Sequence, residues 1–227
     1  MTVLRFGPAA QADVLVLLLH GVGASAEAMR PLASLLSARL PNAAVLAPNG
    51  TAPFDMGPGG RQWFSVRGVS EDNRKARVEA ALPAIETLLD DACAMVGVPR
   101  ERAVVAGFSQ GAILALHLAA AAERPPAAIV ALAGRLAAGP LLSHPGPRPS
   151  VFMSHGAQDR IIALSDGQHA AGALRAIGAE VQFEQIPGHG HSIDPRQVES
   201  VARYVASRLP SGRMDLSQAA EPHRRES

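Results

Sequence analysis

Apolar positions along the chain follow two patterns, short uninterrupted runs and longer stretches with helical spacing. The uninterrupted runs have the length of β-strands, and strands that are apolar throughout are buried on both faces. A sheet built of such strands is parallel and is covered by helices. The runs that predict strands are DVLVLLLHG, which ends its strand at His20, then AAVLAP, and then residues 103–106, 127–132 and 150–155. We expect a further strand over residues 181–186, VQFEQI, where polar residues interrupt the apolar ones.

The stretches with helical spacing predict five helices. The best specified covers residues 195–209, because Asp194 stands at the N-cap, Pro195 occupies the first helical position, and apolar residues recur every three to four positions. Pro83 should kink or restart the long helix over residues 70–96. The other predicted helices cover residues 25–40, with Ser25 as N-cap, 109–122 and 165–177.

Two segments depart from this alternation. Residues 53–68, PFDMGPGGRQWFSVRG, are rich in glycine and proline and contain the single tryptophan of the chain. Residues 211–227 are polar and unpatterned, which is typical of a disordered tail. We therefore expect one domain over residues 1–210, followed by a C-terminal tail over residues 211–227.

Composition narrows the class of protein. The chain has 227 residues, of which 48% are hydrophobic and 18% charged, and its formal net charge is +1. These values are ordinary for a globular domain and argue against nucleic acid as a partner. The single cysteine, Cys93, cannot form an internal disulfide. Without a signal-peptide pattern or an apolar run near the ~20 residues of a membrane span, we expect a cytoplasmic protein with no stable membrane insertion.

One short motif suggests chemistry. The stretch AVVAGFSQGAILALHLAAAA, residues 103–122, passes from a strand pattern to a helix pattern at GFSQG. A turn this abrupt leaves almost no room for side chains, which explains Gly107 and Gly111 on either side of Ser109. The spacing G-x-S-x-G is that of the nucleophile elbow, in which a serine hydroxyl is exposed at the edge of a sheet. The five-residue string alone is weak evidence.

Two further strand ends strengthen this interpretation. Functional residues of a doubly wound sheet lie at the carboxyl ends of its strands. Asp159 follows the predicted strand over residues 150–155, and His191 follows the next one. The chain order Ser109, Asp159, His191 is that of α/β-hydrolases. It predicts that Ser109 attacks a carbonyl carbon, His191 transfers the proton, and Asp159 orients and stabilises the imidazole.

Alternatives exist for each of these residues. Ser109 could be a small residue at a crowded turn without a catalytic role. Asp166 and Asp194 are rivals of Asp159, although the first lies in a helical pattern and the second in a cap position. His189 competes with His191, and the pair forms an H-x-H that could bind a metal. The chain has no Cys, Asp or Glu spacing to complete such a site, so we expect neither metal nor cofactor. The histidines at positions 20 and 155 are expected to be structural, and His117 is expected to be a satisfied or exposed residue of its helix.

The chain resembles the phospholipase/carboxylesterase family of α/β-hydrolases, which includes acyl-protein thioesterases and small bacterial carboxylesterases. The motifs that carry the resemblance extend over residues 18–193 and are LLHGVGA, APNG, GGRQWF, GFSQGA, HGAQDRII and GHSI. The resemblance implies an α/β-hydrolase fold, a mostly parallel central sheet with helices on both faces. Two positions depart from the family pattern: Ala24 stands where many relatives have Asp, and His189 stands where an apolar residue is usual.

The resemblance also implies a site and an activity. The backbone N–H groups of Val22 and Gln110 would form the oxyanion hole. Trp63 and Phe64 would form a wall of the acyl pocket, although aromatic residues in such a segment could equally anchor the loop on the core. Met56, Ile161 and Ile162 are possible companions in the pocket.

The function expected first is hydrolysis of short- to medium-chain carboxylic esters through an acyl-enzyme. An acyl-protein thioesterase or a lysophospholipase is the nearest alternative, because the same attack serves a different leaving group. An acyl transferase, or a non-catalytic binding protein on this fold, is a more distant one. The expected partner is a small acyl ester or thioester, and the expected state is a monomer or homodimer.

Overall fold

The computed structural model describes residues 2–8, 12–137 and 146–208, and the tail predicted over residues 211–227 lies outside them. The first half of the described chain carries five strands and the second half four. In chain order they are β1 Val3–Phe6, β2 Val14–Leu19, β3 Ala43–Pro48, β4 Ala52–Pro53, β5 Arg61–Gln62, β6 Ala103–Phe108, β7 Ala128–Leu132, β8 Ser150–Gly156 and β9 Val181–Ile186.

Five α-helices connect or follow these strands. They are α1 Arg30–Arg39, α2 Glu71–Val96, α3 Gln110–Ala121, α4 Leu164–Ala176 and α5 Pro195–Arg208. All five predicted helices are present, with ends that differ by a few residues. The largest difference is at α1, where a short 3-10 turn, Ala26–Met29, precedes the helix and the Ser25 side chain makes no capping hydrogen bond.

Seven strands form one sheet in the order β1-β3-β2-β6-β7-β8-β9. The six strands from β3 to β9 pair in parallel, as the uninterrupted apolar runs of the five inner ones predict. β1 pairs antiparallel with β3 at one edge and was not predicted. Its residues are half-buried or exposed, because an edge strand is covered on fewer sides, so it lacks the apolar signal of the inner strands.

Helices cover both faces of the sheet. Alternate residues of β2 point to opposite faces, so Leu15, Leu17 and Leu19 pack in one apolar cluster with α2, α3 and α4. The remaining residues of β2 pack in a second cluster with α1 and α5. Cys93 lies buried in the first cluster, where burial raises the pKa of its thiol to about 11.

Helix α2 continues through Pro83, so of the two expected effects, a kink or a restart, the restart does not occur. It begins at a capping box, in which the Ser70 N–H donates to the Asn73 side chain at 2.9 Å. Packing of its apolar face against the sheet offsets the hydrogen bond that proline removes. Within the described ranges, none of the helices combines the length and apolar character needed to cross a membrane.

Candidate active site

The turn at Ser109 connects β6 directly to α3. Ser109 has φ 53° and ψ −113°, a combination rarely adopted by residues with a Cβ atom, and its N–H donates to the Leu132 carbonyl at 3.0 Å. A Cβ atom at Gly107 would lie 2.3 Å from the Gly111 carbonyl carbon, and one at Gly111 would lie 2.2 Å from the Leu19 oxygen. Both glycines are therefore required by backbone packing, which explains the G-x-S-x-G spacing.

Three strand ends bring Ser109, His191 and Asp159 together. The Oγ atom of Ser109 lies 2.9 Å from His191 Nε2, and His191 Nδ1 lies 2.7 Å from Asp159 Oδ2. In a neutral imidazole, Nδ1–H donates to the carboxylate, which leaves Nε2 free to accept the serine hydroxyl proton. The two alternative carboxylates pair with arginines instead, Asp166 with Arg135 and Asp194 with Arg196.

Asp159 is held in place by backbone groups as well as by His191. Its Oδ1 atom accepts the N–H groups of Ile161 at 2.8 Å and Ile162 at 3.0 Å. Burial raises the pKa of Asp159, but the hydrogen bonds from His191 and these N–H groups outweigh burial and lower it overall. The carboxylate is thus ionised at neutral pH and can accept the hydrogen bond that His191 Nδ1–H donates.

The loop that carries His191 is fixed to the end of β8. The Gln158 N–H donates to the His189 carbonyl at 2.8 Å, and a Cβ atom at Gly156 would lie 2.5 Å from the same carbonyl oxygen. The His189 ring bonds the Ser192 carbonyl at 2.8 Å and lies 3.4 Å from the Asp194 carboxylate, whereas the histidine bonded to Ser109 is His191. In the parts of the chain that the structure describes, no group of three or more His, Cys, Asp or Glu residues could bind a metal ion.

The two predicted oxyanion donors belong to residues close to Ser109. Val22 follows β2 and lines the cavity described below. Gln110 is the first residue of α3, where a backbone N–H has no acceptor within the helix. Both groups therefore lie at the edge of the sheet where the Ser109 hydroxyl emerges.

His20 shapes the turn that contains Val22. Its Nε2 atom accepts the Gly50 N–H at 2.8 Å, so Nδ1 carries the proton and donates to the Gly21 carbonyl at 2.7 Å. Burial lowers the pKa of His20 and outweighs the opposing effect of the Gly21 hydrogen bond. The imidazole is therefore neutral, which both hydrogen bonds require. The predicted structural role agrees with these contacts, and His155 also bonds a backbone carbonyl. His117 is buried and bonds the Ile113 carbonyl, so of the two expectations for it the satisfied one fits.

Sequence reasoning missed the role of the Gln110 side chain. It is buried, its oxygen accepts the Trp63 N–H at 2.9 Å, and its nitrogen donates to the Phe64 carbonyl at 2.8 Å. Gln110 thereby fastens residues 60–64, which we term the aromatic strap, to the start of α3. The one signal available in the sequence was the polar Gln110 directly after Ser109, at the start of a helix that is otherwise apolar. An amide at such a position indicates that its side chain has hydrogen-bond partners.

The aromatic strap also contacts the turn at Val22. The backbone carbonyl of strap residue Arg61 accepts a hydrogen bond from the Gly23 N–H at 2.9 Å, and the backbone N–H of Arg61 donates to the Ala24 carbonyl at 2.7 Å. A Cβ atom at Gly60 would lie 2.1 Å from the Gly23 oxygen. The indole N–H of Trp63 donates to the His20 carbonyl at 2.8 Å.

An apolar cavity of about 570 Å³ opens beside Ser109 and His191. Of the five residues expected in the pocket, Ile161 lines this cavity, whereas Trp63, Phe64 and Ile162 are buried away from it and Met56 is exposed outside it. For Trp63 and Phe64 the contacts fit the alternative in which the aromatic residues anchor the segment on the core. The cavity is formed instead mainly by α1 and by the chain that leads into α5, which no local motif indicated.

A mostly parallel sheet covered on both faces, with a serine elbow bonded to a histidine and an aspartate from later strand ends, defines an α/β-hydrolase. The chain belongs to the phospholipase/carboxylesterase family, whose model matches residues 6–209.

Individual relatives agree with this assignment. The chain is 32% identical over 208 residues to esterase YpfH of Escherichia coli (strain K12), covering 92% of this chain and 88% of that protein. It is 26% identical to acyl-protein thioesterase 1 homolog 1 of Dictyostelium discoideum, over 86% and 90% of the two chains. The crystal structure of esterase PE8 is similar with a TM-score of 0.79 and 26% identity, covering 90% of this chain and 99% of that one.

Proposed function

We propose that this protein is a serine esterase that hydrolyses short- to medium-chain carboxylic esters. The observation that carries the proposal is the hydrogen-bonded series Ser109, His191 and Asp159, with distances of 2.9 and 2.7 Å, at the mouth of an apolar cavity. Ser109 Oγ attacks the ester carbonyl carbon while His191 Nε2 accepts the hydroxyl proton. The imidazolium then delivers that proton to the departing alcohol, which leaves an acyl group on Ser109.

The second half of the reaction repeats the first with water as nucleophile. His191 removes a proton from water, the hydroxide attacks the acyl carbon, and Ser109 recovers its proton as the carboxylic acid leaves. In both halves the carbonyl oxygen becomes an anion, and the N–H groups of Val22 and Gln110 would stabilise it. Each such donor is typically worth about 3 kcal/mol in the transition state.

Asp159 serves the imidazole and does not exchange the proton itself. The carboxylate accepts the Nδ1–H of His191, which fixes the tautomer that has Nε2 free. Its pKa is lowered overall, so it stays ionised and stabilises the imidazolium as that charge forms.

The apolar lining of the cavity and the similarity to esterase YpfH support carboxylic esters as substrates. The similarity to an acyl-protein thioesterase from Dictyostelium discoideum favours a second candidate, the release of acyl groups from thioesters. The attack on the carbonyl is the same in both, and the candidates differ in whether an alcohol or a thiol leaves.

Hydrolysis of p-nitrophenyl esters of increasing acyl length tests the proposal. We expect kcat/KM to be highest for short or medium chains, and Ser109→Ala to abolish both the hydrolysis and the labelling by a fluorophosphonate probe. Ser34→Ala, which changes an exposed serine on α1, should retain both. Hydrolysis that survives in Ser109→Ala would refute the proposal. Matched butyryl esters and thioesters with a common leaving-group skeleton separate the two candidate functions.

A further inference from the structure

The cavity beside Ser109 has two apolar walls. One is the segment from Ala28 through α1, and the other is the chain at the start of α5. The side chains on these walls carry no charge, and the polar lining is confined to Ser109, His191, Ser192 and backbone groups. The wall residues are Ala28, Met29, Pro31, Leu32 and Leu35 on the first side, and Ile193, Pro195 and Val198 on the second.

The position of α1 indicates which half of an ester lies against it. The turn with the predicted oxyanion donor Val22 continues through Ala24, which also lines the cavity, to Ala28 and Met29, so the α1 wall begins at the carbonyl end of the substrate. The leaving oxygen must face His191 Nε2, which protonates it, and the alcohol must depart before water enters. The acyl group stays attached to Ser109 during that exchange and is the part that a lasting apolar wall would hold.

The length of the α1 wall sets a scale for the acyl chain. From Ala28 to Leu35 the helical rise amounts to roughly 10 Å. An extended polypeptide has three backbone bonds per residue and advances about 1.2 Å per bond. An extended acyl chain advances by about the same distance per carbon–carbon bond, so the wall matches an acyl group of about eight carbons. Leu35 is the last wall residue of α1 and remains 41% exposed, so it stands where the wall ends.

We infer that the acyl chain of the substrate lies between α1 and the start of α5, and that Leu35 sets the acyl length up to which the enzyme gains from added methylene groups. The inference rests on the proposed esterase function and specifies the substrate of that same site. It assigns the acyl pocket to α1 and α5, and not to the aromatic strap.

Leu35→Asn tests this inference, because the asparagine side chain has the same number of non-hydrogen atoms and the same branching as leucine. Its polar amide disfavours only those acyl chains that are long enough to reach it. We expect kcat/KM for p-nitrophenyl octanoate to fall about tenfold, the loss that follows when about two methylene groups lose apolar surroundings. The value for p-nitrophenyl acetate should stay within about twofold, since an acetyl group ends next to Ser109. Met95→Asn, an exposed apolar residue of α2 on the other face of the sheet, is the matched control and should change neither value.

Two further measurements complete the test. Leu35→Ala should lower the octanoate value and spare acetate in the same way, so the result stands on a second variant even if the asparagine variant does not fold. Alkyl acetates of increasing alcohol length should respond equally in wild type and Leu35→Asn. The inference would be overturned if the dependence of kcat/KM on acyl length were unchanged in both variants, or if only the alcohol series changed. The esterase function would still stand in that case, provided that acetate hydrolysis requires Ser109. Acetate hydrolysis that does not require Ser109 would overturn both.

Discussion

Ser109 holds a backbone conformation that opposes its own Cβ atom, and two variants make this strain measurable. Its φ is 53° and its ψ −113°. Ser109→Ala removes the hydroxyl but keeps the Cβ atom, and with it the strain. Ser109→Gly removes both. Because each variant loses the hydrogen bond to His191, the difference between their free energies of unfolding isolates the backbone contribution.

The expected magnitude follows from two opposing contributions. A residue with a Cβ atom in a sparsely populated backbone region costs about 1–3 kcal/mol. Glycine in turn loses about 0.5–1 kcal/mol more conformational entropy on folding than alanine. We therefore expect Ser109→Gly to be more stable than Ser109→Ala by about 1 kcal/mol. In a protein of this size the gain corresponds to roughly 2–4 °C in Tm.

Calorimetry and urea unfolding of the two variants measure this difference. The matched control is the same pair at Ser34, an exposed residue inside α1, where the sign should reverse. In a helix interior glycine is about 1 kcal/mol less favourable than alanine. If Ser109→Gly unfolds at the same temperature as Ser109→Ala or a lower one, the elbow does not store strain and the reasoning fails.

Three further substitutions test contacts made by residues of α3. Gly111→Ala places a Cβ atom 2.2 Å from a backbone oxygen of β2, so urea unfolding should show a loss of about 3 kcal/mol, and a loss under 0.5 kcal/mol would contradict the packing argument. Gln110→Met keeps the side-chain volume but leaves the Trp63 N–H and the Phe64 carbonyl without partners; at about 1–3 kcal/mol for each group, the expected loss is about 2–6 kcal/mol, and a loss below 1 kcal/mol would refute the fastening role. Burial lowers the pKa of His117, so below about pH 6.5 the unfolded chain binds a proton that the folded protein does not, and stability falls as the pH decreases. His117→Gln should reduce that decrease between pH 7 and 5 in urea unfolding, and an unchanged pH dependence would exclude His117 as a source.

The central fold could be predicted because the inner strands carry their own signal. A strand such as β2, buried along its whole length, must be apolar at every position, and this separates it from an amphipathic helix. The positions of Asp159 and His191 could be predicted from the order of the strands, since each residue comes after a predicted strand. Their approach to Ser109 is a consequence of parallel strands ending at one edge of the sheet.

The pocket could not be predicted in the same way. Its walls are assembled from α1 and the start of α5, which lie about 160 residues apart in sequence, as the ion pair between Arg39 and Glu199 illustrates. Leu32 and Val198 look like ordinary core positions of amphipathic helices, because an apolar wall and a buried helix face have the same periodicity. Only the packing of the two helices determines which apolar residues face the cavity.

The aromatic strap shows why a motif close to a site need not contact the substrate. Backbone packing fixes its motif GGRQWF: a Cβ atom at Gly60 would meet the Gly23 oxygen, and the backbone of Arg61 exchanges hydrogen bonds with the turn at Val22. From the other side, the Gln110 side chain fastens the strap to the helix whose first N–H is the second predicted donor. The strap therefore links the two groups that would hold the oxyanion. We therefore expect substitutions in the strap to affect esters of every acyl length alike, whereas those in the α1 wall should affect long acyl chains only.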